Sequence, residues 1–323
     1  MTLLSRRSVL AAGLGAGAST ALGMPARPAR AQNLPTLRIA YEPFQYSAQV
    51  LYAQEMGFFT KAGLVAELQS IAFGSALAGA VASGAVDVGI SPIATLALAH
   101  HKNIPFVCIA PAASFRASDK PKALLVVGKQ TSIHTGKDMN GKTVGTPGLA
   151  AMGEYGVRAW VDANGGDSST LKFIELPFSE MASAFATGRI DMASVGEPYL
   201  TDVLKVARAL PTSMEAVLGS DYLITAWFAM APWAAAHADL VARFNAAVGD
   251  AGAWAAKNPA KCVEILARTF HQDPASIDPT LLARFPAKLT PASVAPEIAV
   301  TARYAGFPPF PPEDLIYTPH QPA

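Results

Sequence analysis

The segment Gly136-Lys137-Asp138-Met139-Asn140-Gly141-Lys142-Thr143 fits G-x-x-x-x-G-K-T, the spacing with which backbone N–H groups and a lysine cradle phosphates. That chemistry needs a strand directly before the loop and a helix directly after it. Here Lys142-Thr143 runs into Val144-Gly145-Thr146-Pro147, a strand entering a proline turn, so the context for nucleotide binding is missing. The adjacent pair His100-His101 lacks the i, i+3 or i+4 spacing that puts two metal ligands on one helix face. Neither H-E-x-x-H nor G-x-S-x-G occurs, nor an S-x-x-K set with its partners. Cys108 lies in the apolar run Phe106-Val107-Cys108-Ile109, and Cys262 follows Pro259 on a helix. Buried thiols are expected, with a disulfide as the alternative in an exported chain. These patterns point to no catalytic group, no metal and no cofactor.

Binding chemistry is better represented. Tyr41, Phe44 and Tyr46 cluster behind a first apolar run, and Pro43 breaks the helix pattern among them. At least one of these rings is expected to face a cleft and stack on a planar ligand; Gln45 closes the same loop. Ser75 and Ser179 read as helix N-caps. A helix N-terminus that opens on a cleft also offers free N–H groups to an anion, which makes Ser75, with Ala76 beside it, the stronger ligand candidate. Ser91-Pro92 closes a strand. Thr146-Pro147-Gly148-Leu149-Ala150 carries the glycine that close backbone approach requires, so Thr146, Gly148 and Leu149 are contact candidates. Arg116 is the nearest base for a sulfonate or carboxylate, although an exposed surface arginine is the simpler reading. Asp87 and Asp191 read as structural, and Glu197 before Pro198 as a turn residue with a possible ligand role.

These residues must be positioned by the elements between them. Short apolar runs alternate with helical stretches, the pattern of βαβ units and a mostly parallel sheet. Strands are expected at Leu37–Tyr41, Val65–Ser70 and Val86–Ile90, with helices from Gln45 to Gly57 and from Ser75 to Gly84. The order then returns: strands at Thr143–Thr146, Leu171–Leu176 and Ile190–Val195, helices over Tyr155–Ala163 and from Ser179 to Gly188. Ser75 falls on Ser179, Gly84 on Gly188 and Asp87 on Asp191, at one constant offset. Two copies of a lobe are therefore expected. Ligands of open α/β sheets bind outside the carboxyl ends of the strands, so two facing lobes would enclose one cleft.

The chain has 323 residues, 51% hydrophobic and 15% charged, with two cysteines and a formal net charge of +1. This size suits about two domains, and two cysteines exclude a disulfide scaffold. Ser5-Arg6-Arg7-Ser8-Val9-Leu10 opens a Gly/Ala-rich stretch to Leu22, and Ala29-Arg30-Ala31 supplies a small-x-small cleavage site. The stretch is too short to span a bilayer, and the paired arginines fit a twin-arginine export signal. Cleavage after Ala31 would remove four arginines and no acid, turning the net charge from +1 to −3. An exported, mildly acidic chain without basic runs excludes nucleic acid as a partner.

Four segments together resemble one known family. They are Gly57-Phe58-Phe59-Thr60-Lys61-Ala62-Gly63-Leu64, Ala82-Ser83-Gly84-Ala85-Val86-Asp87-Val88-Gly89, Met139-Asn140-Gly141-Lys142-Thr143-Val144-Gly145, and Gly188-Arg189-Ile190-Asp191 through Glu197-Pro198. Their order and spacing resemble the NMT1/THI5-like (SsuA-like) substrate-binding proteins of ABC importers. The resemblance implies a bilobal α/β periplasmic-binding fold of type II with a two-crossover hinge. Residues 1–31 would be the signal peptide, 32–120 plus 225–323 lobe I, and 121–224 lobe II. The crossovers would lie near Pro121 to Leu125 and Asp221 to Trp227, which makes Leu124 and Trp227 hinge markers. The implied protein is a periplasmic monomer without stable membrane insertion. It would capture a sulfonate, aromatic acid or pyrimidine-like solute and deliver it to the permease subunits of an ABC importer. In the family's pyrimidine binders an acid at the place of Glu197 is suited to an amino group on the ring. The alternatives are a THI5-type pyrimidine-synthesis enzyme, whose cysteine-rich segment is missing here, and a receptor feeding a sensor or another transporter.

Overall fold

The computed structural model describes residues 34–72, 74–116, 123–150, 152–211, 219 and 221–319. The expected signal peptide with its cleavage site after Ala31, Phe73 of the loop before Ser75, and Pro121 of the first crossover lie outside the described residues.

The first part of the chain alternates strands and helices: β1 (Thr36–Tyr41), α1 (Ala48–Glu55), α2 (Phe58–Lys61), β2 (Val65–Ser70), α3 (Gly74–Ala82), β3 (Gly89–Pro92), α4 (Ile93–His101) and β4 (Phe106–Pro111). After β5 (Ser114–Arg116) a second sheet is built from β6 (Ala123–Gly128), β7 (Thr143–Thr146), α5 (Met152–Ala163), β8 (Lys172–Glu175), α6 (Met181–Ala186), β9 (Met192–Gly196), α7 (Leu200–Leu204) and β10 (Ala207–Ala209). The chain then returns through β11 (Asp221–Leu223) and β12 (Thr225–Met230), and ends in α8 (Ala231–Ala236), α9 (Ala238–Ala255), α10 (Pro259–Phe270) and α11 (Pro291–Ala305).

Two lobes result. In the first, β1 pairs with β2 in parallel, β12 lies between β3 and β4, and a bridge from Ile39 to Val88 joins the two groups. In the second, the order is β10-β6-β9-β7-β8. β5 pairs with β11 as a two-stranded ribbon between them in the chain. The cores follow the sheets: one cluster joins Leu37, Ile90 and Cys108 to Phe228, Phe244 and Leu266, and others gather Val144, Trp160, Met192 and Val195.

The sheets are mixed rather than mostly parallel. β12 runs antiparallel to both β3 and β4, and β6 runs antiparallel to its neighbours β9 and β10 in a sheet whose other strands share one direction. β6 and β12 each follow a strand, β5 and β11, and not a crossover helix, and only such a crossover would have returned them in parallel.

Local departures have local causes. The helix expected over Gln45–Gly57 is divided: Gln45–Ser47 form one 3-10 turn, α1 ends at Glu55, and Gly57 takes φ +72°, a left-handed corner before α2. The strand expected at Val86–Ile90 slides to Gly89–Pro92. A Cβ on Gly89 would stand within 3 Å of Leu77, Val81 and Phe228, so only glycine lets β3 pass between α3 and β12. Pro92 is tolerated in β3 because that strand is an edge of its three-stranded group. The G-x-x-x-x-G-K-T stretch is followed by β7, not by a helix. Among the described residues, no helix is long and apolar enough to cross a membrane.

The two repeated aspartates have matching structural roles. Asp87 Oδ2 accepts from the backbone N–H of Arg38 at 2.9 Å, and Asp191 Oδ2 accepts from that of Thr143 at the same distance. Each carboxylate thus ties the segment before one strand to the backbone of a neighbouring strand, β1 or β7.

Candidate ligand-binding cleft

β1 delivers the chain at Tyr41 into Glu42-Pro43-Phe44, and Phe44 stays extended (φ −146°, ψ 155°) ahead of the 3-10 turn. This loop, the β3–α4 corner and the β11–β12 junction form one wall of a cavity; Ala123, Pro147, Gly153, Phe178 and Ser194 come from the second lobe. The cavity admits the centre of a water-sized sphere over about 90 Å³, room for a compact solute. Its lining is mostly apolar and aromatic, with a few polar groups, as small-molecule sites are.

Aromatic rings close one side. Phe44 stacks on Phe178 with centroids 4.2 Å apart and meets Tyr46 edge-on at 4.8 Å. The Tyr199 hydroxyl donates to the Pro43 carbonyl at 3.1 Å, a second link between the lobes. Tyr222, buried beside Phe115, contributes another ring.

The polar groups are few. Ser91 is 2% exposed, lines the cavity, and its Oγ has no hydrogen-bond partner among the described residues. Among the described residues Glu42 is the only charged one in the lining. Its pKa is pushed up to about 7 by burial alone. A Cβ on Gly74 would lie 3.0 Å from Glu42 Oε1, so the carboxyl rests against the first residue of α3.

Of the residues singled out in the sequence, Phe44 and Ser91 line this cavity, as does Tyr46, and the others do not. Tyr41 packs against the core of the first lobe. Gln45 is fully buried. Ser75 and Ala76 are exposed on α3, which begins at Gly74, so Ser75 is a helix residue rather than its N-cap. Ser179 likewise sits inside a 3-10 turn. Thr146 spends its hydroxyl on the Gly148 carbonyl at 3.0 Å, Gly148 stays outside the lining, and Leu149 is exposed. Pro147, between them, is the residue of that loop that meets the cavity.

Glu197 is 1% exposed and turned away from the cavity lining. Its Oε1 accepts from the Thr201 hydroxyl and the Asp278 backbone N–H, both at 3.4 Å, while Oε2 is buried without a partner. Burial raises its pKa to about 7, against those two hydrogen bonds. Arg116 is an exposed arginine 3.4 Å from Asp221.

The two hinge markers lie on strands. Leu124 stands on β6 opposite Val195, and Trp227 is wholly buried in the middle of β12, its indole N–H donating to Gln49 Oε1 at 2.9 Å. Both are sheet residues; the ribbon β5–β11 is the described part of the connection. Cys108 and Cys262 are free and buried, their thiol pKa values raised by burial, Cys262 to about 11. His100 and His101 stack on Phe310 and Phe307.

Sequence reasoning missed Glu42, Phe178 and Tyr222. Glu42 and Phe178 had a usable signal, since each lies in a loop that follows a strand's carboxyl end.

Two α/β lobes built around mixed sheets, with one cavity between them, define a type II periplasmic-binding-protein fold. Solved structures with this fold include the periplasmic aliphatic sulphonate binding protein SsuA from Escherichia coli (17% identity, 89% of this chain and 94% of that one covered, TM-score 0.70). A ligand-binding component of an ABC-type import system from Staphylococcus aureus with zinc bound is similar too (15%, 88% and 96%, TM-score 0.73). So is the desulfurization enzyme DSZB (14%, 87% and 96%, TM-score 0.64). By sequence, no curated protein matches the chain. The chain belongs to the NMT1/THI5-like family, whose profile matches residues 45–262.

Proposed function

We propose that this chain is the periplasmic substrate-binding component of an ABC importer. It captures a small organic solute between lobe I (32–120 and 225–323) and lobe II (121–224), closes on it about the two crossovers, and presents the closed form to permease subunits as a monomer. The observation that carries this reading is the cavity itself, which is walled by both lobes and capped by the Phe44–Phe178 stack. A site whose walls belong to two bodies couples occupancy to their relative position, which is what a docking partner can sense. The twin-arginine-like leader, removed after Ala31, supports export to the periplasm.

Phe44 and Ser91 are the ligand contacts of this proposal. The orphaned Ser91 Oγ is a donor and acceptor that a bound solute would satisfy. A thermal-shift screen of the chain from Gln32 onward against sulfonates, aromatic carboxylates, pyrimidines and amines tests the reading. A ligand at 100 times its Kd stabilises the fold by about 2.7 kcal/mol. Turnover of a compound without stabilisation by any would replace the transport reading with an enzymatic one.

A further inference from the structure

We propose that the cleft is built for a small organic cation, an amine or amidine bound in its protonated form, with Glu42 as its ion-pair partner. This rests on the reading of the cleft as the ligand site, and it narrows the ligand class.

The first argument is charge. Among the described residues Glu42 is the only ionic side chain in the lining, and no described lysine, arginine or histidine lines the cavity. An anionic solute would enter without a counter-charge and beside a carboxyl. Burying an unpaired charge is costly, and a like charge adds to the cost.

The second is the state of the helix N-termini, where open α/β sheets hold anions. At α4, the Ala94 N–H already donates to Glu297 Oε2 at 3.0 Å. At α5, Glu154 in the first turn accepts from the Ala150 N–H at 2.9 Å. At α3, the carboxyl of Glu42 rests against Gly74. At each of these three N-termini a carboxyl of the chain itself stands where an anion would sit.

The third is the remaining wall. Phe44, Tyr46, Phe178 and Tyr222 present ring surface to the same cavity. Ring faces attract cations, by up to about 2 kcal/mol when desolvated. Ser91 Oγ, without a partner, can accept from a second N–H of an amidine or amine. Among the described residues no cation or hydrogen-bond donor meets the Glu42 carboxyl, so an incoming N–H group can pair with it. Burial holds its pKa near 7, and a bound cation would bring it down.

Four probes of one size and different charge test this by titration calorimetry: benzamidinium, benzamide, benzoate and benzenesulfonate. The proposal expects benzamidinium to bind most tightly, and Glu42→Gln to weaken it by roughly tenfold or more. Ser91→Ala, which keeps the carboxyl, should weaken it less. Titrations at pH 7 in buffers of different ionisation enthalpy should show protons released on binding to the wild type and none in Glu42→Gln, a readout independent of affinity. Tighter binding of benzoate or benzenesulfonate than of benzamidinium, sensitive to Phe44→Ala, would overturn the cation assignment and leave the solute-binding reading standing. An unchanged benzamidinium affinity in Glu42→Gln, or no binding by any of the four, would overturn it as well. The broad thermal-shift screen then decides the wider reading separately.

Discussion

Phe44 and Phe178 stack across the cleft with their ring centroids 4.2 Å apart and their planes 16° from parallel. One ring belongs to the loop after β1 and the other to the loop before α6, so the contact exists only while the lobes are together. An aromatic pair of this kind contributes about 0.5–1.5 kcal/mol beyond its area. Phe178→Ala should therefore shift the lobes toward an open arrangement by a factor of roughly 2 to 13. Small-angle scattering should show a larger radius of gyration for the variant without ligand, and ligand Kd should rise by a similar factor. Identical scattering curves would mean that the stack does not hold the lobes closed.

Glu197 couples the end of β9 to the turn at Asp278, and its buried carboxyl titrates near pH 7 instead of near 4.5. A folded pKa above the unfolded one means that the native state binds the proton more tightly. The stabilisation is fully present below pH 4.5 and is lost as pH rises through 7. Two and a half units at about 1.4 kcal/mol each set an upper limit of about 3 kcal/mol. Glu197→Gln, neutral at every pH, should thus flatten the decline: relative to wild type it should gain roughly 1–3 kcal/mol between pH 5 and pH 8. Urea denaturation at the two pH values measures this. An equal difference at both would show that Glu197 is charged throughout.

The lobes and their strands were legible because apolar runs, glycine stops and the repeated Gly-x-x-Asp segments are local signals. β1, β2, β7 and β8 fall within a residue of where the apolar runs end. β3 did not, because its position depends on Gly89 fitting between α3 and β12, and β12 arrives from the far side of the second lobe. The cleft was legible as a set of loops and not as a set of residues. A lone carboxylate beside Pro43 reads as a solvated turn; the fold instead sets it half-buried against Gly74 of α3. For Glu197, nothing near it in sequence announces the Asp278 turn whose N–H meets its carboxyl.

Trp227, expected near the second crossover, lies inside a sheet. Its indole is buried between β3 and β4, bonded to Gln49 and edge-on to Phe244 at 5.6 Å. Gln49 and Phe244 belong to the same lobe as Trp227, so its fluorescence should be insensitive to ligand; tyrosine or an engineered probe on the β5–β11 ribbon should respond instead. Trp227→Phe leaves a void and strands the buried Gln49 oxygen. The expected loss is about 2–4 kcal/mol, measured by chemical denaturation. A loss below 1 kcal/mol would mean that the site collapses around the smaller ring.

Asp87 and Asp191 allow the independence of the two lobes to be tested with matched substitutions. Each accepts a 2.9 Å bond from a backbone N–H of a neighbouring strand, β1 or β7, and Asp87 additionally binds the Arg38 guanidinium. Removing either carboxylate leaves a strand N–H unpaired, at a cost of about 1–3 kcal/mol. Asp87→Ala should cost more, because the half-exposed arginine loses its partner too. Hydrogen exchange should then accelerate in the peptide spanning Leu37–Tyr41 for Asp87→Ala and in the one spanning Thr143–Thr146 for Asp191→Ala. The two strands lie in different core clusters, so each variant should spare the other lobe's strand. Acceleration of both peptides in either variant would show that the lobes open as one cooperative unit, and closure would then involve more than motion at the crossovers.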